Sequence, residues 1–483
     1  MHIYPNGAYN LVYHQKESIR LSEGMDADNM LQPAAMARTL AAMRIFAHMC
    51  ELFDVDTVIG VATAAVRNAH NGRALIEEIR LHTGLPVRII SGETEAGMGF
   101  IGAINTLDVT DGLIFDLGGA STEITLVRNR EACHVFSLPF GAVNLTERFG
   151  TKDKISEGQI LKMIDFVQGQ LRQPWLQNIR LPLIGIGGTA RNIAKMDQKR
   201  KNYPFSKVHN YRLGRLAAER LWEDLIRLSL MQRRKTAGLN SERADIIVAG
   251  VTIVHCLFAA TRSEQLIISG CGLREGLFLT HYLDKIKEPQ IIPDILMHST
   301  HNMLKFYNGN VGHAYKVAEL AGQMCDGWQE LLAFDGRNRV LLRVAALLHD
   351  IGITVNYYDH ARHSAYLVEN ARLFGLTHRE QMLTAVIAGW HNGPVSKFFR
   401  RVYSQFLDEA DWEIATKLAL VLALAESLDS TEMGLIKRVE AGVYNGQARL
   451  RLVTDDAAPV ERQAVDKRRK WFKKEFGMEL III

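Results

Sequence analysis

The sequence predicts an α/β protein whose later part turns all-helical, and three observations carry that expectation. Up to Leu277, short apolar runs alternate with helically spaced segments, the rhythm of a largely parallel sheet with helices packed on it. Two of the apolar runs end in tight glycine turns. From about Pro293 to Arg438 the strand pattern stops, and nearly every segment has helical spacing.

Taken in order, Tyr9, Leu11 and Tyr13 alternate and a polar turn leads into Ser18–Leu21, which predicts an early strand pair between Ala8 and about Arg20. Met36, Leu40, Met43 and Ala47 share one face of a helix over Pro33–Phe53. Val58–Ala62 is a short buried strand, Leu75–His82 a helix, and Val87–Ile90 another strand ending at Ser91–Gly92. Leu113–Ile114–Phe115 is a buried strand that runs into Asp116, Gly118 and Gly119. A second apolar run, Leu181–Ile184, leads into Gly185, Gly187, Gly188 and Thr189, and the rhythm continues to Ile267–Gly276. Beyond it, His313 opens a helix and Leu341–Leu348 leads into His349–Asp350. A helix from Gln381 closes at His391, and the apolar run LALVLALAESL precedes Asp429. A strand at Ala448–Val453, a basic helix and the terminal Leu480–Ile483 complete the chain.

At 483 residues the chain is too long for one core. Its 47% hydrophobic and 23% charged content is that of a globular protein and excludes a disordered one. The apolar stretch Ile246–Ala260 is too short for a membrane span and carries Thr252 and His255, so it reads as a buried core helix. The five cysteines form no CxxC pair, which suits a reducing compartment rather than a disulfide framework. The start has no basic segment followed by an apolar core. A cytoplasmic protein is therefore expected, with neither a membrane nor a nucleic acid as partner. Basic clusters at Lys195–Lys201, Arg233–Lys235 and Lys467–Lys474 read as solvated faces, or as a track for a polyanion if a phosphate site lies beside them.

The glycine turns are where chemistry enters. Glycines let backbone N–H groups approach an anion with no Cβ in the way, and an aspartate at a strand end can hold a divalent cation that neutralises phosphate charge. Two such turns, one of them carrying Asp116, suggest a clamp for a phosphate chain. Glu95 by itself reads as a glutamate at a helix start, stabilised by the dipole.

Six segments stand in order along the chain: VATAAVRNAHNG at 61–72, ISGETEAGMGFIGA at 90–103, FDLGGASTEITL at 115–126, GIGGTARNIA at 185–194, SERADIIVAG at 241–250 and SGCGLREG at 269–276. Together they resemble the exopolyphosphatase and guanosine pentaphosphate phosphohydrolase family (Ppx/GppA), which has a duplicated actin-like, RNase H-type fold. The resemblance implies actin-like subdomains over residues 1–103 and 104–285. It implies that Glu95 activates a water for in-line attack on a terminal phosphorus, and that Arg67 stabilises the transferring phosphoryl group. Asp116 and Glu123 would surround Mg²⁺. Gly118, Gly119 and Ser121 would cradle phosphate, with Gly187, Gly188 and Thr189 as the opposing loop. Ala120 replaces a glycine common in this turn, and Gly272, Arg274 and Glu275 are expected to be structural. The implied partner is inorganic polyphosphate or guanosine pentaphosphate, and the implied assembly a homodimer. The family's first phosphate loop, D-x-G-S-N-[ST], has no counterpart here. Aligning NGAYNLV with the strand that follows that loop starts the chain inside the second strand, so weak activity is expected until the loop is restored.

The order His313, His349–Asp350, His363, His391, Asp429 resembles the HD superfamily of metal-dependent phosphohydrolases. The resemblance implies an all-helical HD-like domain over residues 286–440, followed by a small α/β tail over 441–483. One metal would lie on His313, His349, Asp350 and Asp429, and a second on His363 and His391, bridged by Asp350. Imidazole and carboxylate suit Mn²⁺, Fe²⁺ or Zn²⁺, and two such ions can orient a hydroxide.

The leading expectation is release of terminal orthophosphate from polyphosphate at Glu95. Its alternatives are conversion of guanosine pentaphosphate at the same residues, a metal-dependent phosphohydrolase at the histidines, and a sensor that binds without turnover.

Overall fold

The computed structural model describes residues 1–25, 29–307, 309–332, 335–393, 400–401 and 403–483. The chain divides into two compact units, one of Tyr13–Pro293 and the other of Met1–Val12 with Asp294–Ile483. Residues 1–12, expected in the first actin-like subdomain, thus count with the C-terminal unit.

The first unit is built on six described strands, in the spatial order Glu131–Leu138, Thr122–Arg128, Gly112–Leu117, Leu183–Ile186, Gln265–Ile268 and Arg212–Gly214. The three central strands run parallel. They are the continuous apolar runs of the sequence, because a strand covered by helices on both faces has no solvent side to make polar. The outer strands pair antiparallel. Register sets Phe115 beside Gly185 and Asp116 beside Ile186, so both glycine turns leave the same end of the sheet. The carboxyl ends of parallel strands are where α/β sheets receive ligands.

The helix Ile247–Thr261 is buried in this core. Of its polar residues, the Thr252 hydroxyl donates to the Val248 carbonyl at 2.8 Å and accepts from Trp222 Nε1 at 3.0 Å, while the His255 ring stacks on Trp222 and its buried Nδ1 has no hydrogen-bond partner among the described residues. No helix among the described residues is long and apolar enough to cross a membrane. A smaller parallel pair, Gly60–Ala62 with Val87–Ile89, packs with the helices Pro33–Leu52 and Gly72–Thr83 around Leu31, Val66, Leu75 and Ile79.

The helix Gly92–Ile104, which carries Glu95, lies against the helix Leu273–Ile286 at main-chain distance. A Cβ on Gly276 would sit 1.8 Å from the Met98 carbonyl oxygen, and one on Gly102 would sit 2.3 Å from the Gly272 oxygen. Two glycines therefore set how deep the Glu95 helix lies.

In the second unit the described helices include Ile295–Phe306, Val311–Gly327, Gly336–Leu348, His360–Asn370, His378–Gly389 and Glu409–Ser427. A three-stranded sheet follows, Arg438–Tyr444, Gln447–Val453 and Leu480–Ile482, with two short helices between its last two strands. The hairpin turns at Asn445–Gly446, both with positive φ, as a tight turn matched to strand twist requires. That dipeptide is itself a hairpin signal.

The expected strand pair of residues 8–20 does not form. Tyr9–Asn10 pairs instead with His2–Ile3. The Asn302 amide takes the place of a strand neighbour: Oδ1 accepts from the Tyr9 N–H at 2.8 Å and Nδ2 donates to the Tyr9 carbonyl at 3.0 Å.

Gly276→Ala is expected to destabilise the protein by about 3 kcal/mol, because main chain cannot yield as a side-chain tip does. Chemical denaturation measures it, and a midpoint equal to that of the parent would contradict the close approach.

Candidate functional site

Ser91 caps the helix Gly92–Ile104 by accepting from the Thr94 N–H at 3.1 Å, which puts Glu95 in the first turn, where the helix dipole favours a carboxylate. Glu95 Oε2 accepts from Arg67 Nη1 at 2.9 Å, and the same nitrogen donates to the Ile90 carbonyl at 3.0 Å. Arg67 ends the short helix Ala64–Arg67, so its guanidinium is held by a backbone oxygen and a carboxylate together.

Asp116 and Glu123 face each other across paired strands. Glu123 is buried and accepts from Ser137 Oγ at 3.1 Å. Burial and then the Glu95 charge push the Asp116 carboxyl up to about 6, with Arg191 opposing. Burial, Glu95 and Asp116 push Glu123 up to about 7 against hydrogen bonds from Ser121 and Ser137. Burial also raises Glu95, against Arg67. Three carboxylates thus crowd one end of the sheet, and a cation or a proton is what relieves them.

The first glycine turn is strapped down by its carbonyls. Gly118 O accepts from the Ala142 N–H and Gly119 O from the Val143 N–H, both at the start of the helix Ala142–Phe149, and Asn144 Nδ2 donates to Ala120 O. Among the described residues the N–H groups of Gly119, Ala120 and Ser121 have no acceptor, which leaves a row of donors for an anion. The second turn passes close by. Gly187 has φ +94, and a Cβ there would meet Leu117 O at 2.8 Å and Asp116 Oδ1 at 3.1 Å. Gly187, Gly188 and Thr189 open the helix Gly187–Arg200, whose first N–H groups lack intrahelical acceptors. Two arginines stand beside this turn. Arg191 Nε donates to Gly187 O at 3.2 Å, and a Cβ on Gly188 would lie 2.4 Å from the Arg243 guanidinium, whose Nε is buried with no partner among the described residues.

A second constellation lies in the C-terminal unit. His313, His349, Asp350 and Glu426 form one group whose ligating atoms lie within 4.8 Å of one another, and Asp350, His360 and His391 form another. All four imidazoles are anchored through Nδ1: His313 to Asp429 Oδ2 at 2.8 Å, His349 to Ala346 O at 2.7 Å, His360 to Tyr357 O at 2.9 Å and His391 to Ala388 O at 2.6 Å. A proton on each Nδ1 leaves Nε2 as the face turned to the centre. There, Glu426 Oε2 lies 2.8 Å from His313 Nε2 and 2.9 Å from His349 Nε2. Asp350 Oδ1 is buried without a hydrogen bond, 3.2 Å from His360 Nε2 and 3.6 Å from the Nε2 atoms of both His349 and His391. Burial, then His349, pushes His391 down to about 4, so its imidazole is neutral. Burial disfavours a charge on His313, but hydrogen bonds to Asp429 and Glu426 raise it to about 10. A divalent cation competes with that proton for the same lone pair.

The model of the Ppx/GppA phosphatase family matches residues 4–285, and that of Ppx/GppA phosphatase domain III matches residues 295–463. The chain belongs to the Ppx/GppA phosphatase family. It is similar in fold to an exopolyphosphatase from Cytophaga hutchinsonii, 24% identical over 60% of this chain and 94% of that one, with a TM-score of 0.55. A Ppx/GppA family member from Aquifex aeolicus is 26% identical over 55% of this chain and 87% of that one, with a TM-score of 0.48.

In this Ppx/GppA chain, then, Glu95, Arg67, Asp116 and Glu123 stand at one end of the sheet with both glycine turns. The Thr189 side chain turns the other way, buried against Gly250, which leaves only its backbone facing the turn. Arg191 and Arg243 went unremarked in the sequence, although both lie within family segments. In the C-terminal unit the centre holds Glu426 where Asp429 was expected and His360 where His363 was expected. Asp429 stands one shell back, orienting His313, and His363 lies outside both groups. An acid inside an otherwise apolar helix, LALVLALAES, was the available signal for Glu426. The basic clusters are in part structural. Arg233 is buried and donates to the carbonyls of Leu228, Ala244, Lys152 and Asp153, while Lys201 and Arg200 pair with Asp197 and Asp224.

The donors fit two kinds of metal. Asp116 and Glu123 offer oxygen alone, the donor type that suits Mg²⁺. The mixed imidazole and carboxylate set suits Mn²⁺, Fe²⁺ or Zn²⁺.

Glu123 and Asp116 ordinarily titrate at 4.5 and 3.8, below their values of about 7 and 6 here. Between those limits the folded protein holds protons that the unfolded chain has released. The stability these groups contribute is full below pH ~4 and is lost as pH rises through about 7. Denaturation midpoints are expected to fall from pH 5 to pH 8, with a shallower fall in Glu123→Gln. A slope unchanged by that substitution would show the carboxylates do not crowd.

Proposed function

We propose that the unit Tyr13–Pro293 hydrolyses the terminal phosphoanhydride of inorganic polyphosphate, in the cytoplasm, with Glu95 as general base. The observation that carries this is the juxtaposition of Glu95, its partner Arg67 and the Asp116–Glu123 pair beside the unpaired N–H groups of the first glycine turn. Glu95 takes a proton from the attacking water as its oxygen bonds to the terminal phosphorus. The bond to the bridging oxygen breaks, orthophosphate leaves, and the shortened chain keeps that oxygen. Arg67, already pinned to the Ile90 carbonyl, can follow the charge that gathers on the equatorial oxygens. Gly119, Ala120 and Ser121 donate from the backbone to the chain's phosphates. Asp116 and Glu123 would hold Mg²⁺, which when bound neutralises phosphate charge. Guanosine pentaphosphate offers the same terminal group, and competition between the two for hydrolysis ranks them.

Glu95→Gln is expected to lower orthophosphate release from polyphosphate by about 10²–10⁴-fold. The double variant His349→Ala with Asp350→Ala is expected to leave that release unchanged. The opposite pattern would move the chemistry to the helical unit.

A second reading rests on an observation of its own, the four Nδ1-anchored imidazoles around the unbonded Asp350 oxygen. In this reading His313, His349 and Glu426 would hold one metal ion and His360 and His391 a second, with Asp350 belonging to both groups and Asp429 fixing the His313 ring. When bound, two such ions supply an oriented hydroxide for phosphoester hydrolysis. Protein purified after incubation with Mn²⁺ or Zn²⁺ is expected to retain two ions more by elemental analysis than the His349→Ala, Asp350→Ala variant. Equal content in the two would end this reading.

A further inference from the structure

The histidine centre has a neighbour that none of its ligands explains. Arg468 lies where the short helices Pro459–Asp466 and Arg469–Phe476 meet, at the N-cap of the second. It makes no ion pair among the described residues. Among the described residues its guanidinium makes one hydrogen bond, from Nη1 to the Asn392 carbonyl at 2.9 Å, which leaves Nε and Nη2 unused. Asn392 follows the ligand His391, and its Nδ2 lies 3.2 Å from Nε2 of the ligand His360. The guanidinium is thus one residue away from the Asp350, His360 and His391 group. It is half-buried: burial lowers its pKa, and the nearby Glu426 charge raises it.

A half-buried arginine without a carboxylate partner is an unusual thing to keep beside a cation site, since like charges repel. What reconciles them is an anion that both can touch. A phosphate dianion fits, because its oxygens can bridge two metal ions while a planar fork of N–H groups grips the remaining ones. Around the centre only Glu426 and Asp350 carry negative charge toward the metals, with Asp429 committed to His313 Nδ1. A dinuclear site therefore keeps net positive charge, and Arg468 adds to it.

We infer that this centre binds the terminal phosphate dianion of a phosphate monoester, with Arg468 as the residue that holds its non-bridging oxygens. The inference rests on the dinuclear reading above, and it turns a basic cluster noticed in the sequence into one specific contact. A phosphodiester, with a single charge and a substituent on each side, lacks the free oxygens the fork needs.

The test uses the full chain carrying Glu95→Gln, incubated with Mn²⁺, and inorganic orthophosphate as the probe in titration calorimetry. The difference between this protein and the same protein with His349→Ala and Asp350→Ala isolates binding at the centre. Arg468→Ala is expected to keep the metal content and weaken that binding about ten- to a hundredfold. Arg468→Lys, which keeps the charge but loses the fork, is expected to fall between, and it decides the question if the alanine variant does not fold. p-Nitrophenyl phosphate is expected to displace orthophosphate, and bis(p-nitrophenyl) phosphate is not. Unaltered phosphate binding in Arg468→Ala with metal in place overturns the inference and leaves the metal centre standing. Displacement by the diester as readily as by the monoester, or by neither, overturns the assigned ligand class. Metal content no higher than in the His349→Ala, Asp350→Ala control overturns the dinuclear reading itself, and this inference with it.

Discussion

Negative charge gathered at one end of the central sheet is the constraint around which the first unit is arranged. Glu95, Asp116 and Glu123 come from a helix start and two neighbouring strands; burial raises the proton affinity of all three, the Glu95 charge raises that of Asp116 and Glu123 further, and Asp116 adds to that of Glu123. Such crowding persists only because the backbone around it is hard to move. The glycine contacts at Gly102 and Gly276 fix the helix that carries Glu95, and strand pairing fixes Asp116 opposite Glu123. Arg67, Arg191 and the free amides of the first turn supply the opposite sign. Under the proposed function, an anion chain arriving with its own counter-ion would complete the balance.

The second unit answers a similar problem with different chemistry. Its carboxylates, Asp350 and Glu426, are met by imidazoles rather than by guanidinium and backbone. His391 is kept neutral by burial, while His313 takes up a proton between two acids. One chain therefore carries two clusters of different donor type, oxygen-only in the first unit and nitrogen-rich in the second. Their separate substitutions give separate readouts.

The parts of this arrangement legible in the sequence are those whose signal is local. A buried strand that ends in an acid and glycines needs no distant information, and Asp116 with both turns stands where that pattern put it. Ala448–Val453 likewise showed its alternation. Helical ligands are harder to read, because residues three apart lie on nearly the same face and tertiary packing alone decides between them. Glu426 and Asp429 are such a pair, and so are His360 and His363; in both the partner not chosen lies within one turn. Arg243 was opaque for another reason. Its closeness to Gly188 depends on how a loop folds back, which no periodicity encodes. The misplaced N-terminal strand pair has the same origin, since an asparagine side chain on a helix supplied the partner that alternation led one to seek in a strand.

The anchors of His349, His360 and His391 share one property: each reaches a carbonyl three residues earlier in the chain. Ring orientation and tautomer are thereby written into single turns of backbone, independent of how the helices later dock. Each of these imidazoles can present its lone pair as soon as its own turn winds up. The aim of these three nitrogens is therefore a local property of the backbone, set turn by turn rather than by the apolar interior.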